Sequence, residues 1–169
     1  MSAMAMIHPC ALPPGALLGR YLASGAYADC YVTELAHPVT HAEFVEAFYT
    51  TAVFKLERLI LRLAVSRPST DAEAGQLARG ERGGFAAWSV EERAPDQLLL
   101  CDLTGRTRSW LMVASPADRG IGVTSLYFGS AVVASRGPVF GALLGFHELY
   151  SRILLRAAAH RLSRNRAAR

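Results

Sequence analysis

The chain has 169 residues, of which 51% are hydrophobic and 19% are charged, and its formal net charge is +4. A chain of this length forms one domain and buries its own core without disulfides or structural metals. Many of the basic residues are crowded into the last eighteen positions, namely Arg152, Arg156, Arg161, Arg164, Arg166 and Arg169. The body of the chain is close to neutral, and the basic end has no aromatic side chains on which bases could stack, so nucleic acid is not an expected partner.

The three cysteines, Cys10, Cys30 and Cys101, are widely spaced and form no pattern suited to a metal site. An odd number of separated cysteines is typical of a protein kept in a reducing compartment. The N-terminal stretch MSAMAMIHPCALPPG has no basic segment, and prolines interrupt its apolar run, so it makes a poor secretory signal. We therefore expect a cytoplasmic protein that uses neither a metal nor another cofactor.

The beginning of the chain predicts a loose arm followed by a strand. Residues 1–24 are punctuated by proline and glycine and form the arm, with a helical turn at 16–22. The next segment, YADCYVTEL at Tyr27–Leu35, is rich in aromatic and branched residues and predicts a strand. We expect the main domain to span residues 25–162 and a basic tail to follow at 163–169.

A helix pair is predicted after this strand. Thr40 and Glu43 have the spacing of a capping box, and apolar residues then recur at helical spacing over residues 44–63. A cluster of β-branched residues at 50–53 divides this periodicity into two shorter helices. The polar segment that follows contains one further helical turn at 71–79.

The second half of the chain changes to the two-residue period of strands. Short turns separate the apolar runs, which favours antiparallel pairing between neighbours. The predicted strands cover residues 85–93, 97–104, 107–115 and 122–135. Strands grouped after a helix pair, with another helix at the end, predict an α+β fold.

Residues 138–155, PVFGALLGFHELYSRILL, are long enough to cross a membrane but carry His147, Glu148 and Arg152. A charge at the bilayer centre costs at least about 2.5 kcal/mol on insertion, so we expect no transmembrane segment. Glu148 and Arg152 are spaced for a solvated helix face. The opposite, covering face carries Leu143, Phe146, Tyr150, Ile153 and Leu154.

Five segments carry a resemblance to a known family: YADCYV, FVEAFYTTAVFKLERLILRL, GFAAWSVEERAPDQLLLCD, RTRSWLMV and GVTSLYFGSAVVASRGPVFGALLGFHELYSRILL. Over residues 25–160 the chain resembles an uncharacterised bacterial domain family related to the START-like, polyketide-cyclase (SRPBCC) superfamily. The resemblance implies a helix-grip fold, in which a curved antiparallel sheet wraps around a long C-terminal helix. It also implies a cavity between them that binds an apolar or amphipathic small molecule, such as a lipid or hydrophobic metabolite.

Two of the predicted strands are apolar on both faces, at residues 97–101 and 110–114. A sheet with one wet face would alternate, so both faces of this sheet are expected to be covered. The closing helix covers one face. Four candidates could cover the other face of the sheet: a ligand, the N-terminal arm, the helix at 44–63 or a partner chain.

Aromatic and sulfur-containing side chains of the strands are candidates for contact with a ligand. Trp88, Trp110 and Tyr127 offer large surfaces with a polar tip, and Met112 adapts to the shape of a bound molecule. Ordinary core packing explains the same four residues. Both interpretations predict that they are partly or fully buried.

Three polar residues complete the candidate ligand site. His147 lies on the closing helix, Arg108 could bind an anionic head group, and Asp29 could hold a hydroxyl group or Arg108. The competing interpretations are a structural histidine, a solvated sheet edge and a surface acid.

Three hypotheses for function follow. The first is a START-like binding module, and the second is a cyclase- or hydratase-like enzyme that uses Asp29, His147 and Tyr127 as acid and base. The third is a homodimeric interaction protein whose apolar surface is buried between two copies. The chain contains no nucleophile elbow, phosphate-binding loop, dinucleotide fingerprint or HExxH motif, so no reaction is assigned.

Overall fold

A computed structural model describes residues 6–115, 122–133 and 138–168 of the chain, with the side chains at 60–62, 64, 65 and 138–147 outside this description. In chain order the elements are β1 (His8–Pro9), α1 (Gly19–Ala23), β2 (Tyr27–Leu35), α2 (His41–Tyr49), α3 (Ala52–Val65), α4 (Asp71–Ala78), β3 (Gly84–Phe85), β4 (Trp88–Ala94), β5 (Gln97–Asp102), β6 (Thr107–Ala114), β7 (Thr124–Val132) and α5 (Pro138–Ala167). The predicted α+β class is confirmed.

The strands of the described residues form one curved, open antiparallel sheet in the order β1-β2-β7-β6-β5-β4-β3. The first long strand pairs with the last, from Tyr27 opposite Val132 to Leu35 opposite Thr124. Strands β4 to β7 form a meander in which each strand pairs with the next. Strands β3 to β6 therefore all lie on the β7 side of the β2–β7 pair, and β1 lies on the other side of β2.

The predicted strands are confirmed, and two short ones were missed. Strand β2 has the predicted limits, and β5, β6 and β7 lie inside the predicted segments. The segment 85–93 is divided between β3 and β4, which form a tight hairpin. Neither β1 nor β3 is longer than two residues, which is too short for a periodic pattern.

The helix pair begins and divides where the side chains predict. The Thr40 hydroxyl accepts a hydrogen bond from the Glu43 amide at 3.2 Å, and the Glu43 carboxylate accepts one from the Thr40 amide at 2.9 Å. The Thr51 hydroxyl accepts a hydrogen bond from the Phe54 amide at the start of α3. The predicted turn at 71–79 is a capped helix, α4, with a second capping box at Thr70.

Helices α2, α4 and α5 pack on one face of the sheet, which we call the helix face. Helix α5 lies along β2, and the Arg152 guanidinium is 5.9 Å from the centre of the Tyr31 ring. The helix continues to Ala167, so most of the predicted basic tail is helical. Among the described residues, no helix is long and apolar enough to cross a membrane.

The predicted covering face of α5 is partly wrong. Leu154 is 3% exposed as expected, but Ile153 is 42% exposed, and Ser151 is buried in its place. Helix α5 is therefore rotated so that a row of small and apolar side chains faces the sheet, namely Ser151, Leu154, Leu155, Ala158, Ala159 and Leu162. Leu143 and Phe146 lie outside the described side chains.

The N-terminal arm covers the opposite face of the sheet, which we call the arm face. Leu18 is completely buried in a second cluster with Cys30, Leu99, Trp110 and Ala131. Of the four covers compatible with the apolar strands, the arm is the one that packs there. This explains why residues of β5 and β6 are apolar on both sides.

Candidate functional site

A row of polar side chains crosses three strands on the helix face. Asp29 of β2 lies opposite Ser130 of β7, which lies opposite Ser109 of β6. One carboxylate oxygen of Asp29 accepts hydrogen bonds from the Ser130 amide at 3.0 Å and from the Ser130 hydroxyl at 2.6 Å. Because strand residues alternate between faces, this row shares its face with the buried apolar residues Leu111 and Phe128.

Tyr27 connects this row to helix α5. Its hydroxyl group donates a hydrogen bond to the Glu148 carboxylate at 3.1 Å and lies 3.5 Å from an Asp29 carboxylate oxygen. Burial and the nearby carboxylates raise the pKa of Tyr27, and the same two causes raise the pKa of Tyr31 to about 12. Both phenols therefore stay protonated near neutral pH, and Tyr27 acts as a hydrogen-bond donor.

Glu57 of α3 is directed inward and joins α3 to α5. Its carboxylate accepts a hydrogen bond from the Tyr150 hydroxyl of α5. Burial raises the pKa of Glu57, and burial together with the Glu57 charge raises the pKa of Tyr150. Because its pKa is raised, this carboxyl group is protonated in a larger fraction of molecules at a given pH than a surface glutamate is.

Tyr49 ends α2 between Glu57 and the polar row. The Tyr49 side chain is fully buried near Ser109, and burial raises its pKa. Its hydroxyl oxygen has no hydrogen-bond partner among the described residues within normal geometry. Buried polar atoms are usually paired, so such an atom is a candidate for contact with a bound molecule.

Trp88 presents a second buried donor of this kind. Its indole Nε1 atom is buried and has no partner in the described part of the chain. Trp88 pairs across the β3–β4 hairpin with Phe85, whose ring lies 5.4 Å from the Tyr49 ring. Phe85 therefore lies next to both Tyr49 and Trp88, two of the residues with buried polar atoms that lack a partner.

These observations define an interior polar cluster, made of Asp29, Tyr49, Glu57, Ser109, Ser130 and Tyr150. It offers two carboxylates as acceptors and several hydroxyl groups as donors beside the apolar side chains of the main core. Such a mixture holds the polar end of a small molecule, or moves a proton between a carboxyl group and a bound hydroxyl. No group of three or more metal-binding side chains occurs among the described residues.

Two surface grooves differ in their relation to the interior polar cluster. The larger, of about 600 Å³, contains Trp88 and is bounded by residues 66–68, residues 82–86 and Leu103. Ser66 and Ala86 on its wall have positive φ values of 53° and 51°, a conformation that costs about 1–3 kcal/mol at a non-glycine residue and concentrates at ligand sites. The smaller groove, of about 420 Å³, lies beside His37 and Arg166, away from the interior polar cluster.

The predicted ligand-binding residues are divided between the two faces of the sheet. Trp88 and Asp29 lie on the helix face, where the interior polar cluster is found. The other strand residues of the prediction lie on the arm face, namely Arg108, Trp110, Met112 and Tyr127. The backbone of His147 belongs to α5, and its side chain lies outside the described residues.

Arg108 binds the N-terminal arm rather than Asp29. Its guanidinium donates to the Tyr21 hydroxyl at 2.9 Å and to the Glu91 carboxylate at 2.7 Å, and it stacks 4.8 Å from the centre of the Tyr21 ring. Asp29 is on the other side of the sheet, so the expected contact between the two is not formed. The same separation keeps Tyr127 away from Asp29, and the proposed acid–base trio does not assemble.

Glu57, Tyr49 and the two serines were not predicted from the sequence. A signal for the serines exists, because Ser109 and Ser130 have the same parity along their strands as the buried residues Leu111 and Phe128. A polar residue at an inward position of a strand needs a partner, which points to a site. Glu57 gives no such signal, since its direction depends on how α3 packs against α5.

Comparison of the chain with protein-family models, with curated proteins and with solved structures found no match. The function of this chain therefore has to be inferred from the arrangement of its own residues.

Proposed function

We propose that this chain is a START-like binding protein of the helix-grip type, and that it holds an amphipathic small molecule between the sheet and the helix layer. The observation that carries the proposal is the interior polar cluster, which lies beside the apolar side chains of the main core. The polar end of the ligand contacts this cluster, and its apolar part lies among the aromatic side chains of α2, α3 and β3.

The chain order supports the helix-grip part of the proposal. The first long strand, β2, pairs with the last strand, β7, and helices α2, α3 and α4 lie between them in sequence. The closing helix α5 lies along β2 on the helix face. A curved antiparallel sheet against a long closing helix is what the resemblance implies for a helix-grip fold.

The aromatic side chains of the core are the reason for proposing an apolar part of the ligand. Phe48, Tyr49, Phe54, Phe85 and Phe128 form a connected set whose neighbouring ring centres are 4.7–6.3 Å apart. Aromatic rings in such clusters provide large apolar surfaces without flexible side-chain torsions. Contacts with these rings favour a hydrophobic chain or ring system over a sugar or a nucleotide.

The larger groove suggests a route by which the ligand enters from the surface toward the aromatic side chains of the core. Phe85 and Trp88 line the groove and also pack against the main core, so they connect surface and interior. Arg82 on the groove wall is tied to Glu73 at 2.8 Å. Arg67 is exposed and forms no ion pair among the described residues, so a ligand with a negative end meets an available cation there.

Native mass spectrometry of the freshly purified protein tests the proposal. We expect a bound species that is released on denaturation and that is identified from an organic extract of the protein. A panel of fatty acids, phospholipids and aromatic polyketide-like compounds is then screened for an increase in melting temperature. Absence of any co-purified species together with no shift across the panel would contradict ligand binding.

Matched tryptophan substitutions locate the ligand. Trp88→Phe removes the orphan indole donor on the helix face, and Trp110→Phe makes the same change on the arm face. We expect Trp88→Phe to lower the affinity about 5- to 20-fold, the loss of one buried hydrogen bond. Trp110→Phe leaves affinity unchanged although it loses its bond to Gln97. Equal losses in both variants would place the ligand elsewhere.

An exposed apolar patch favours self-association as a second candidate function. The outer leucine patch consists of Leu56, Leu59 and Leu63 on α3 with Leu149 and Ile153 on α5, all between 42% and 76% exposed. The two helices are in contact and are joined by Glu57 and Tyr150, so the exposed side chains lie on neighbouring helices. Contiguous exposed apolar surface commonly marks a protein interface.

Light scattering at several protein concentrations tests self-association. We expect a homodimer that Leu59→Glu converts to a monomer, because two copies of the new charge would face each other in the interface. Leu103→Glu is the control, since Leu103 is similarly exposed but lies at the groove rather than in the outer leucine patch. A monomer at all concentrations would leave ligand binding as the better supported function.

A further inference from the structure

Cys10 and Cys30 face each other between the N-terminal arm and the sheet. Their sulfur atoms are 3.3 Å apart, and the Cys10 amide donates a hydrogen bond to the Cys30 carbonyl at 2.9 Å. They continue the pairing of β1 with β2, in which Pro9 lies opposite Tyr31. Both are free thiols. The two side chains therefore occupy directly opposed positions on neighbouring antiparallel segments, on the same side of the sheet.

The two thiols are chemically unequal. Cys30 is 4% exposed, whereas Cys10 is partly accessible to solvent. Contact with the Cys30 thiol lowers the pKa of Cys10, and contact with Cys10 together with burial raises the pKa of Cys30. The first proton therefore leaves Cys10, the thiol that a reagent can reach, and Cys30 is placed to react second.

A covalent bond between Cys10 and Cys30 would hold the N-terminal arm, which already contacts the sheet at several other residues. Beyond Cys10 the arm is fixed to the arm face by Leu18, which is completely buried, and by two hydrogen bonds to Gln97. Tyr21 adds a further contact with Glu91 and Arg108. All of these apolar and polar contacts are lost if the arm lifts from the sheet.

We propose that Cys10 and Cys30 form an oxidative modification site, at which a disulfide bond fastens the arm to β2. The oxidant is a small-molecule disulfide such as oxidised glutathione. The Cys10 thiolate attacks one of its sulfur atoms, a mixed disulfide forms and one glutathione thiolate leaves. The Cys30 sulfur then attacks Cys10, the second glutathione leaves, and each glutathione thiolate takes up one of the two protons released by the cysteines.

This site does not depend on the proposed ligand. It lies on the arm face, and the interior polar cluster lies on the helix face. In the reduced protein the arm is held by packing and hydrogen bonds alone, and in the oxidised protein it is held covalently. The reduced form therefore exposes the apolar arm face more often than the oxidised form does.

Alkylation after incubation in glutathione buffers tests the bond. The full chain is equilibrated with defined ratios of reduced and oxidised glutathione, quenched with acid, treated with an alkylating reagent and analysed by mass spectrometry. We expect Cys10 and Cys30 to lose their reactivity together with the mass of two hydrogen atoms, while Cys101 stays reactive. Peptide mapping identifies the linked pair, and Cys101→Ser is the control that behaves as the wild type does.

Hydrogen exchange tests the effect on the arm. We expect the amides of residues 17–21 to exchange roughly tenfold or more slowly in the oxidised form, since the disulfide removes open states of the arm. Cys10→Ser abolishes this difference between reducing and oxidising buffers. A stable glutathione adduct on Cys10, a bond to Cys101, no oxidation at all, or unchanged exchange after oxidation would each overturn the proposal. The wild-type measurements are decisive even if a serine variant folds poorly.

Discussion

The Tyr150 hydroxyl of α5 donates a hydrogen bond to the Glu57 carboxylate of α3, inside the helix layer. This contact joins helices that are far apart in sequence and holds a carboxyl group in a partly buried position, which raises its pKa. A buried carboxylate with one strong partner is less stable than the same group in water. Its protonation is therefore coupled to the stability of the fold.

The first prediction concerns the pH dependence of this pair. Burial raises the folded-state pKa of Glu57 above its unfolded value. The stability that the protonated carboxyl group contributes is therefore fully present below the unfolded pKa and is lost as the pH rises through the folded pKa. Glu57→Gln removes this dependence and raises the melting temperature at neutral pH.

Chemical unfolding at a series of pH values measures this effect. The control is Tyr150→Phe, which leaves the Glu57 carboxylate without its donor and lowers the free energy of unfolding by about 1–3 kcal/mol. If Glu57→Gln has the same pH profile as the wild type, the carboxyl group is solvated and the assignment of Glu57 to the interior polar cluster is wrong.

The second prediction concerns the Asp29–Ser130 contact. Ser130→Ala removes the hydroxyl donor but keeps the backbone donor to the same carboxylate oxygen. We expect a loss of about 1–2 kcal/mol in the free energy of unfolding, because a hydrogen bond to a charged group is stronger than a neutral one. Asp29→Asn keeps an acceptor oxygen and should cost less than Ser130→Ala, as measured by urea unfolding.

The third prediction concerns Gly129, where the arm approaches the sheet. A methyl group at this position would lie 2.8 Å from the Asp29 carbonyl oxygen and 2.9 Å from a methyl carbon of Leu18. Gly129→Ala should therefore destabilise the protein by about 1–3 kcal/mol, since the sheet backbone cannot move aside. Gly83→Ala is the control, because nothing lies within 4 Å of a methyl group there. Thermal melting of both variants makes the comparison.

The fourth prediction concerns Gln97, which binds the arm through its side-chain amide. It accepts hydrogen bonds from the Leu17 amide and from the Trp110 indole at 2.9 Å each, and donates one to the Gly15 carbonyl at 3.1 Å. Gln97→Leu keeps the buried volume but leaves these groups without partners, at a cost of about 2–4 kcal/mol. Limited proteolysis should then cut the arm first, whereas wild-type protein is cut there slowly.

The elements predicted correctly depend on interactions between residues that are close in sequence. The capping box at Thr40 and the break near Thr51 are formed within one helical turn, so their pattern is visible without knowledge of the fold. The capping box at Thr70 is equally local but was not predicted. The limits of β2 follow from its composition in the same way. The α+β class follows from the order of these local elements.

The relationships that were missed depend on packing between distant segments. Ile153 was placed on the buried face of α5, but its exposure depends on how the helix rotates over β2. Asp29 and Arg108 were expected to meet, although the register of β2, β7 and β6 places them on opposite faces. A shift of one residue in that register would reverse the result, and local sequence does not determine it.

Strand β2 carries Asp29 toward the helices and Cys30, the next residue, toward the arm. The two residues share one peptide unit, so a shift of this part of the strand along the normal to the sheet moves both side chains. A molecule whose binding shifts the strand at Asp29 would change the ease with which Cys30 is oxidised, and by thermodynamic reciprocity oxidation would then change the affinity for that molecule by the same factor. Strand β2 thus provides a direct backbone connection between the helix face and the arm face of the sheet.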